Sequence, residues 1–408
     1  MFKIVRIPPK IKTFFGSLTT HFHWNHFEYF QALVFLIAYA WGRRNVSQLY
    51  RFLDVEQHRT RFNNFMLSRR FNLLKLLRQK AYELLEALRL KAGTVIYLIL
   101  DDSTRRKHGK RMEAVGNIRD SLTGCIVKGH QYVIAVLRVG DYTIPFGVEL
   151  YVKQEQCPGL GLPFRKTTEM AAELIRAFEA PKGVKVVVLF DNFYLCPKVK
   201  QACEQKGFHY VSTLKDNRNL HKNGRKLKTG TYKKNRFRRG LREVLTLGNG
   251  EQLTYVDADW IDVHGLRPLH VVLSRKRKDQ RILAVVTDDP DMTADEILRT
   301  YGNRWWIEVF FKDAKQLLGL GQYQNRPYRA AVIHLHLVCF AHALLTHLRI
   351  ERAADEKGKR KCKAARMSTG QAQNELRFIV WKDMVEHLEG FQSGESVVKE
   401  LQRLQIAC

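Results

Sequence analysis

Two stretches of the chain are apolar without a break: Val95-Ile-Tyr-Leu-Ile-Leu100 and, after Lys185, Val186-Val-Val-Leu-Phe190. Short continuous runs rich in branched residues predict central strands covered on both faces, so a buried sheet is required. Each run closes on acid, the first at Asp101-Asp102 and the second at Asp191. The carboxyl-terminal edge of such strands is where α/β sheets carry their sites. A lone aspartate there is more often the start of a loop.

The rest of the pattern fills in around that sheet. Residues 129–139 and 142–152 read as strands joined by a Gly140-Asp141 turn, 166–178 as a helix, and 207–214 as a further strand. Three strands, a helix and then more strands with helices predict a mixed α/β sheet. Residues 1–90 read as helical, with segments near 24–41, 46–53 and 71–90. Arg43, Arg44, Arg59, Arg61, Arg69 and Arg70 supply a basic surface there, either for DNA or as the rim of a helical cap. Residues 215–285 form a β-rich basic insertion whose loop, 218–242, includes Arg236, Arg238 and Arg239. The expected organisation is therefore a helical N-terminal DNA-binding region at 1–90 and a core split between 91–214 and 286–350 around the insertion. A basic linker and helical end occupy 351–408.

Lys and Arg number 69 against 40 Asp and Glu, a net charge of +29. Self-repulsion on that scale calls for a polyanion, and nucleic acid is the default partner. An anionic membrane surface is the weaker alternative. The first 20 residues carry no signal-peptide pattern. The apolar run 330–348 contains His334, His336, His342 and His347, which would be costly in lipid, so a buried helix is expected. The histidines lack the i, i+4 spacing of a zinc pair and are given no metal. Seven cysteines with no Cys-x-x-Cys pair argue against zinc fingers and disulfides and for a reducing cytoplasm.

The remaining strong signal is Tyr301-Gly-Asn-Arg304-Trp-Trp-Ile-Glu308-Val-Phe-Phe-Lys312-Asp-Ala-Lys315, read as one helix. Trp306, Ile307, Phe310, Ala314, Leu317 and Leu318 fall on one side. Tyr301, Arg304, Glu308 and Lys315 fall on the other. Alone, that polar side is most often an ordinary solvated face. With Asp101 or Asp102 and Asp191 it supplies a third carboxylate. Three carboxylates are what a two-metal phosphoryl-transfer site needs, with Mg2+ taking oxygen ligands and two ions about 4 Å apart.

Leu100-Asp-Asp-Ser-Thr104, Phe190-Asp-Asn-Phe-Tyr194 and Tyr301-x-x-Arg304-x-x-x-Glu308-x6-Lys315 resemble bacterial insertion-sequence transposases of the DDE type, in the group with a Tyr-Arg-Glu-Lys signature. The resemblance covers most of residues 94–350. It implies a ribonuclease-H-like mixed-sheet core with a β insertion between the second Asp and the Glu, and helical regions at both ends. It further implies Asp191 and Glu308 as metal ligands. Asp102, beside Ser103, is the preferred first ligand, with Asp101 as its supporting neighbour or its replacement. Two Mg2+ ions are expected, with Mn2+ as a substitute. Tyr301, Arg304 and Lys315 would grip phosphates, with Lys312 beside them. Trp260, in the insertion, is a candidate for stacking a flipped base, although a strand Trp is more often core. The basic loop Arg105–Arg111 is either a backbone contact or solvated.

The implied function is cut-and-paste transposition through a hairpin intermediate, acting on terminal inverted repeats and target DNA. A homodimer on DNA and a cytoplasmic, nucleoid-associated location go with it. The alternatives are a transposase-derived DNA-binding protein that no longer cuts and a structure-specific nuclease.

Overall fold

The strands, in chain order, are β1 (Val95–Arg106), β2 (Gly116–Arg119), β3 (Ile126–Val139), β4 (Tyr142–Tyr151), β5 (Lys185–Leu189), β6 (His209–Thr213), β7 (Asn219–Lys222), β8 (Arg225–Lys228), β9 (Glu243–Thr246), β10 (Gln252–Val263), β11 (Leu269–Lys276) and β12 (Leu283–Thr287). They come from a computed structural model, which describes residues 3–405 apart from 5, 56, 110, 120–123, 223, 249, 278 and 392. Lys110 of the basic loop, and Ile406 and Cys408 of the helical end, lie outside the described residues.

The strands form one mixed sheet in the order β2-β3-β1-β5-β6-β12-β11-β10-β7-β8, with β4 on β3 and β9 on β10. β4, β3 and β1 are an antiparallel meander, and β5 and β6 then add parallel to β1. This is the mixed α/β fold the sequence predicts. The helix Pro197–Lys206 makes the crossover between the two parallel strands, and the helix Thr167–Arg176 leads into β5. Ile96, Leu98, Ile99 and Leu100 are all fully buried, as a strand covered on both faces requires.

The helix Tyr328–Asp355 is long and apolar enough to span a membrane by composition, but 89% of its apolar window is buried inside the fold. It packs on β4 and on the helix Trp24–Tyr39. Its histidines at 334, 336 and 342 are buried; His334 Nε2 meets Gly319 O at 3.0 Å and His336 Nδ1 meets Val332 O at 2.8 Å.

Several expectations are corrected. β1 does not stop at Asp101, because β3 continues to pair it as far as Arg106 opposite Gly129. What ends there is β5, whose pairing covers only Val95–Ile99. The stretch 301–315 is two helices, Ala294–Gly302 and Trp305–Gln316. At Gly302-Asn303-Arg304 the bonds tighten to i→i+3, with Arg304 N on Tyr301 O and Ile307 N on Arg304 O. The basic loop of the insertion contains a helix, Thr229–Arg239, anchored by buried Tyr232 and Phe237. The linker is a helix over Gly358–Ala365. Arg44 is buried rather than on the surface, donating to Leu317 O at 2.9 Å.

Candidate active site

Because β1 outruns β5, the ladder opens at residue 100 and the next side chains stand at the edge of a cleft. Successive strand residues point to opposite faces. Asp101 lines the cleft, together with Asp191 and Glu308; Asp102 does not. Asp102, the first ligand preferred by resemblance, thus stands beside the cleft lining, and its neighbour Asp101 stands within it. Asp102 accepts from Gln131 Nε2 at 2.7 Å and from the Tyr194 hydroxyl at 3.2 Å, while Asp101 accepts from the Asp102 backbone N–H at 2.9 Å and from Arg304. The Asp102 carboxyl is raised above the usual range by burial, against the pull of its bonds from Gln131 and Tyr194.

Asp191 lies two residues past the end of β5, after the buried Phe190. Its Oδ1 accepts from the backbone N–H of Phe193 at 2.9 Å, an Asx turn that fixes the side chain at the mouth of the cleft. Glu308 sits in the first turn of Trp305–Gln316, whose opposite face buries Ile307, Phe310 and Ala314. Arg304 stands between the carboxylates. Its Nη1 donates to Asp101 Oδ2 at 3.0 Å, and its Nη2 donates to Glu308 Oε1. The Tyr301 ring lies 5.9 Å from the guanidinium carbon. Burial opposes the charge on Arg304, but Tyr301, Asp101 and Glu308 together hold its pKa above the ordinary value.

Burial pushes Asp101 up to about 7; Arg304 pulls against this, while Asp191 and Asp102 add repulsion. The three carboxylates thus form an acid-rich cluster that demands positive charge. Among the described residues no three His, Cys, Asp or Glu side chains stand ready-arranged around one metal position. Arg304 provides the countercharge in this arrangement. The donor set nonetheless fits a hard divalent ion, since carboxylate oxygens on a rigid strand and helix are its natural ligands.

Lys312 and Lys315 line the same cleft, which measures about 1720 Å3, as do Arg105, Arg106 and His108. Lys107 instead turns inward and donates to Gly321 O at 2.7 Å and Tyr323 O at 3.2 Å. Trp260, Arg236, Arg238 and Arg239 are not at the cleft. Trp260 follows an irregularity in β10, is 40% exposed rather than core, and stacks on His270. The three arginines are on the helix Thr229–Arg239, exposed to solvent. Sequence reasoning misses Gln131 altogether and gives Tyr194 a place in its motif but no role. A Tyr three residues after a strand-end Asp is the available signal for the second; nothing local marks the first.

A family model for the DDE superfamily endonuclease matches residues 14–244, more than half of the chain. The chain belongs to the DDE superfamily. A second model, the transposase DDE domain, matches residues 165–344. Between them the matches contain Asp101, Asp191 and Glu308, so all three lie in DDE sequence. The protein is a DDE enzyme of the transposase and endonuclease kind. No curated protein sequence matches the chain. A cryo-EM structure of a piggyBac transposase synaptic complex with hairpin DNA aligns with a TM-score of 0.46 and 12% identity, covering 94% of this chain and 76% of that one. So remote a likeness assigns no role to any residue here.

Proposed function

We propose that this DDE enzyme is a cut-and-paste transposase of an insertion sequence, with Asp101, Asp191 and Glu308 as its metal ligands. The observation that carries the reading is the cleft itself. Three carboxylates from distant segments of the chain line it, with Arg304, Lys312 and Lys315 beside them. Bound Mg2+, or Mn2+ in its place, would polarise the phosphoryl oxygens and lower the pKa of an attacking water. Everything else falls to the protein's own groups.

Arg304 holds Asp101 and Glu308 together against their repulsion. A guanidinium has five N–H donors, so it retains others for a phosphate oxygen. Lys315, its ammonium 5.8 Å from the Phe311 ring, supplies a further positive charge at the cleft. Asp102, tied to Gln131 and Tyr194, fixes the pleat that aims Asp101. The steps are in-line displacements at phosphorus. Water attacks one strand at the element end and the 3′ oxygen leaves as a hydroxyl. That hydroxyl attacks the opposite strand, closing a hairpin; water reopens it; the free 3′ ends then attack target DNA. The excess of 29 positive charges suits two ends and a target held at once, by a homodimer in the cytoplasm at the nucleoid.

The test is a denaturing gel of products formed by the purified protein in Mg2+ on DNA carrying the sequences that flank its gene. A nick at one repeat end followed by a hairpin supports the reading. Cleavage governed by DNA structure alone points to a nuclease. Binding with no cleavage in either Mg2+ or Mn2+ points to a DNA-binding derivative.

A further inference from the structure

The cleft continues past the carboxylates to a second group of charges. Arg138 on β3, Arg349 on the helix Tyr328–Asp355 and Arg366 all line it. All three meet Asp141, in the turn between β3 and β4. Arg138 Nη2 lies 3.9 Å from Asp141 Oδ1, Arg366 Nε lies 3.5 Å from Oδ2, and Arg349 Nη2 donates to the Asp141 carbonyl at 2.8 Å. Asp313 is the other carboxylate whose charge reaches Arg349. Three guanidinium groups against two carboxylates leave positive charge in excess.

Arg138 Nη1 also donates to Thr143 Oγ1 at 3.3 Å and Arg349 Nη2 to the Ala365 carbonyl at 2.5 Å, but one donor of each arginine is left over. Arg138 is 5% exposed and Arg349 7%, yet the Nε of each is buried with no hydrogen-bond partner among the described residues. The ring of Trp306 lies 3.6 Å from the Arg138 guanidinium carbon, and the Tyr142 ring 5.2 Å from that of Arg349. Stacking steadies a guanidinium but accepts nothing from its in-plane N–H groups. A buried charged donor without an acceptor is costly, so the arrangement calls for an oxygen ligand. Burial lowers the pKa of Arg138 to about 10, which leaves it charged at neutral pH.

A third feature converges on the same place. The 21-residue helix Thr369–Glu389 starts at the cleft, with Ser368 and Thr369 in its lining. A Ser368–Gln371 capping box already satisfies two N–H groups there, and the helix end adds a partial positive charge, which favours an anion.

We propose that this end of the cleft is a second phosphate-binding subsite, holding a backbone phosphate of the DNA strand that passes the carboxylates. That source for the phosphate rests on the DNA-cleavage reading. The helix Trp305–Gln316 connects the two ends: Glu308 serves the carboxylate cluster, and Trp306, two residues earlier, backs Arg138. A phosphate seated against Arg138 and Arg349 fixes the strand's position relative to Asp101, Asp191 and Glu308. It acts by positioning and takes no part in bond making.

The test uses the full-length protein and its Arg366→Gln and Arg138→Gln variants, with Lys382→Gln on the same terminal helix as a charge control. The Arg366 side chain is 74% exposed, so its variant keeps the fold even where the Arg138 change does not. Affinity for a fluorescent mixed-sequence duplex is measured against salt without divalent ions. Each arginine variant is expected to flatten the slope of log affinity on log salt by about 0.9, the value for one phosphate fewer neutralised, with a much smaller change for the control. Wild-type binding with unchanged slopes in the arginine variants, or an equal change in the control, overturns the subsite and leaves the cleavage reading standing. No wild-type binding to duplex overturns both. A thermal shift by inorganic phosphate that Arg366→Gln abolishes, with DNA slopes unchanged, makes it a free-anion site and overturns the DNA assignment.

Discussion

Arg304 Nη1 stands 3.0 Å from Asp101 Oδ2, although the two residues are 203 positions apart in the chain. The contact joins a strand to a helix junction and draws the first and third carboxylates to one guanidinium. A lysine keeps the charge but cannot span both groups. Arg304→Lys is therefore expected to cut single-turnover DNA cleavage by about a hundredfold. DNA affinity, by fluorescence anisotropy, should fall far less. A lysine variant that cleaves at the wild-type rate would show that charge alone suffices.

Neighbouring aspartates on β1 should behave differently. Asp101→Asn removes a carboxylate from the cleft and is expected to lower cleavage by about a thousandfold. Asp102→Asn alters a side chain that Gln131 and Tyr194 hold away from it. It should cost about 1 kcal/mol of stability and leave cleavage within about tenfold of wild type. Urea unfolding and cleavage assays on the two variants side by side separate these roles. The reverse ranking would return the ligand role to Asp102.

The choice between those aspartates shows where sequence reading stops. The apolar run 95–100 announces a buried strand, but which of two adjacent acids faces the cleft depends on pleat parity against β3 and β5. The local pattern holds no record of that parity. Glu308 is legible because its helix buries Ile307, Phe310 and Ala314 at helical spacing. The break before it is not, since a glycine at 302 is compatible with a continuous helix. The helix Thr229–Arg239 hides behind its charge, because only Tyr232 and Phe237 supply apolar anchors and Lys233 is buried by pairing with Asp216. The arginines around Asp141 come from three separate segments, and no motif ties them together.

Acid should destabilise the fold through its buried histidines. Burial lowers His130 and His336 to about 4 and His334 and His342 to about 3, against about 6.5 in the unfolded chain. Between those values the unfolded state binds more protons than the folded one, so stability rises with pH there. Their contribution is complete above pH 6.5 and is lost progressively as the pH falls toward 4 and 3, by on the order of several kcal/mol. Urea midpoints at pH 7.5 and 5 should differ markedly. Replacing His342 with Gln should reduce the difference.

Gly321 adopts a φ of +79°, and a Cβ there would lie 2.6 Å from the Arg105 side chain. Its carbonyl also receives the Lys107 ammonium. Gly321→Ala is expected to cost about 1–3 kcal/mol, combining backbone strain with displacement of Arg105 from the cleft. Chemical denaturation measures the first part, and the salt dependence of DNA binding reports the second.

The most direct test of the shared carboxylate site is cleavage of element-end DNA in Mg2+ by Asp191→Ala and Glu308→Ala. Circular dichroism and DNA affinity are measured on the same preparations. Both variants should remain folded and bound to DNA while cleavage drops about a thousandfold or more. Cleavage within about tenfold of wild type in either variant is incompatible with a metal-ligand role for that carboxylate.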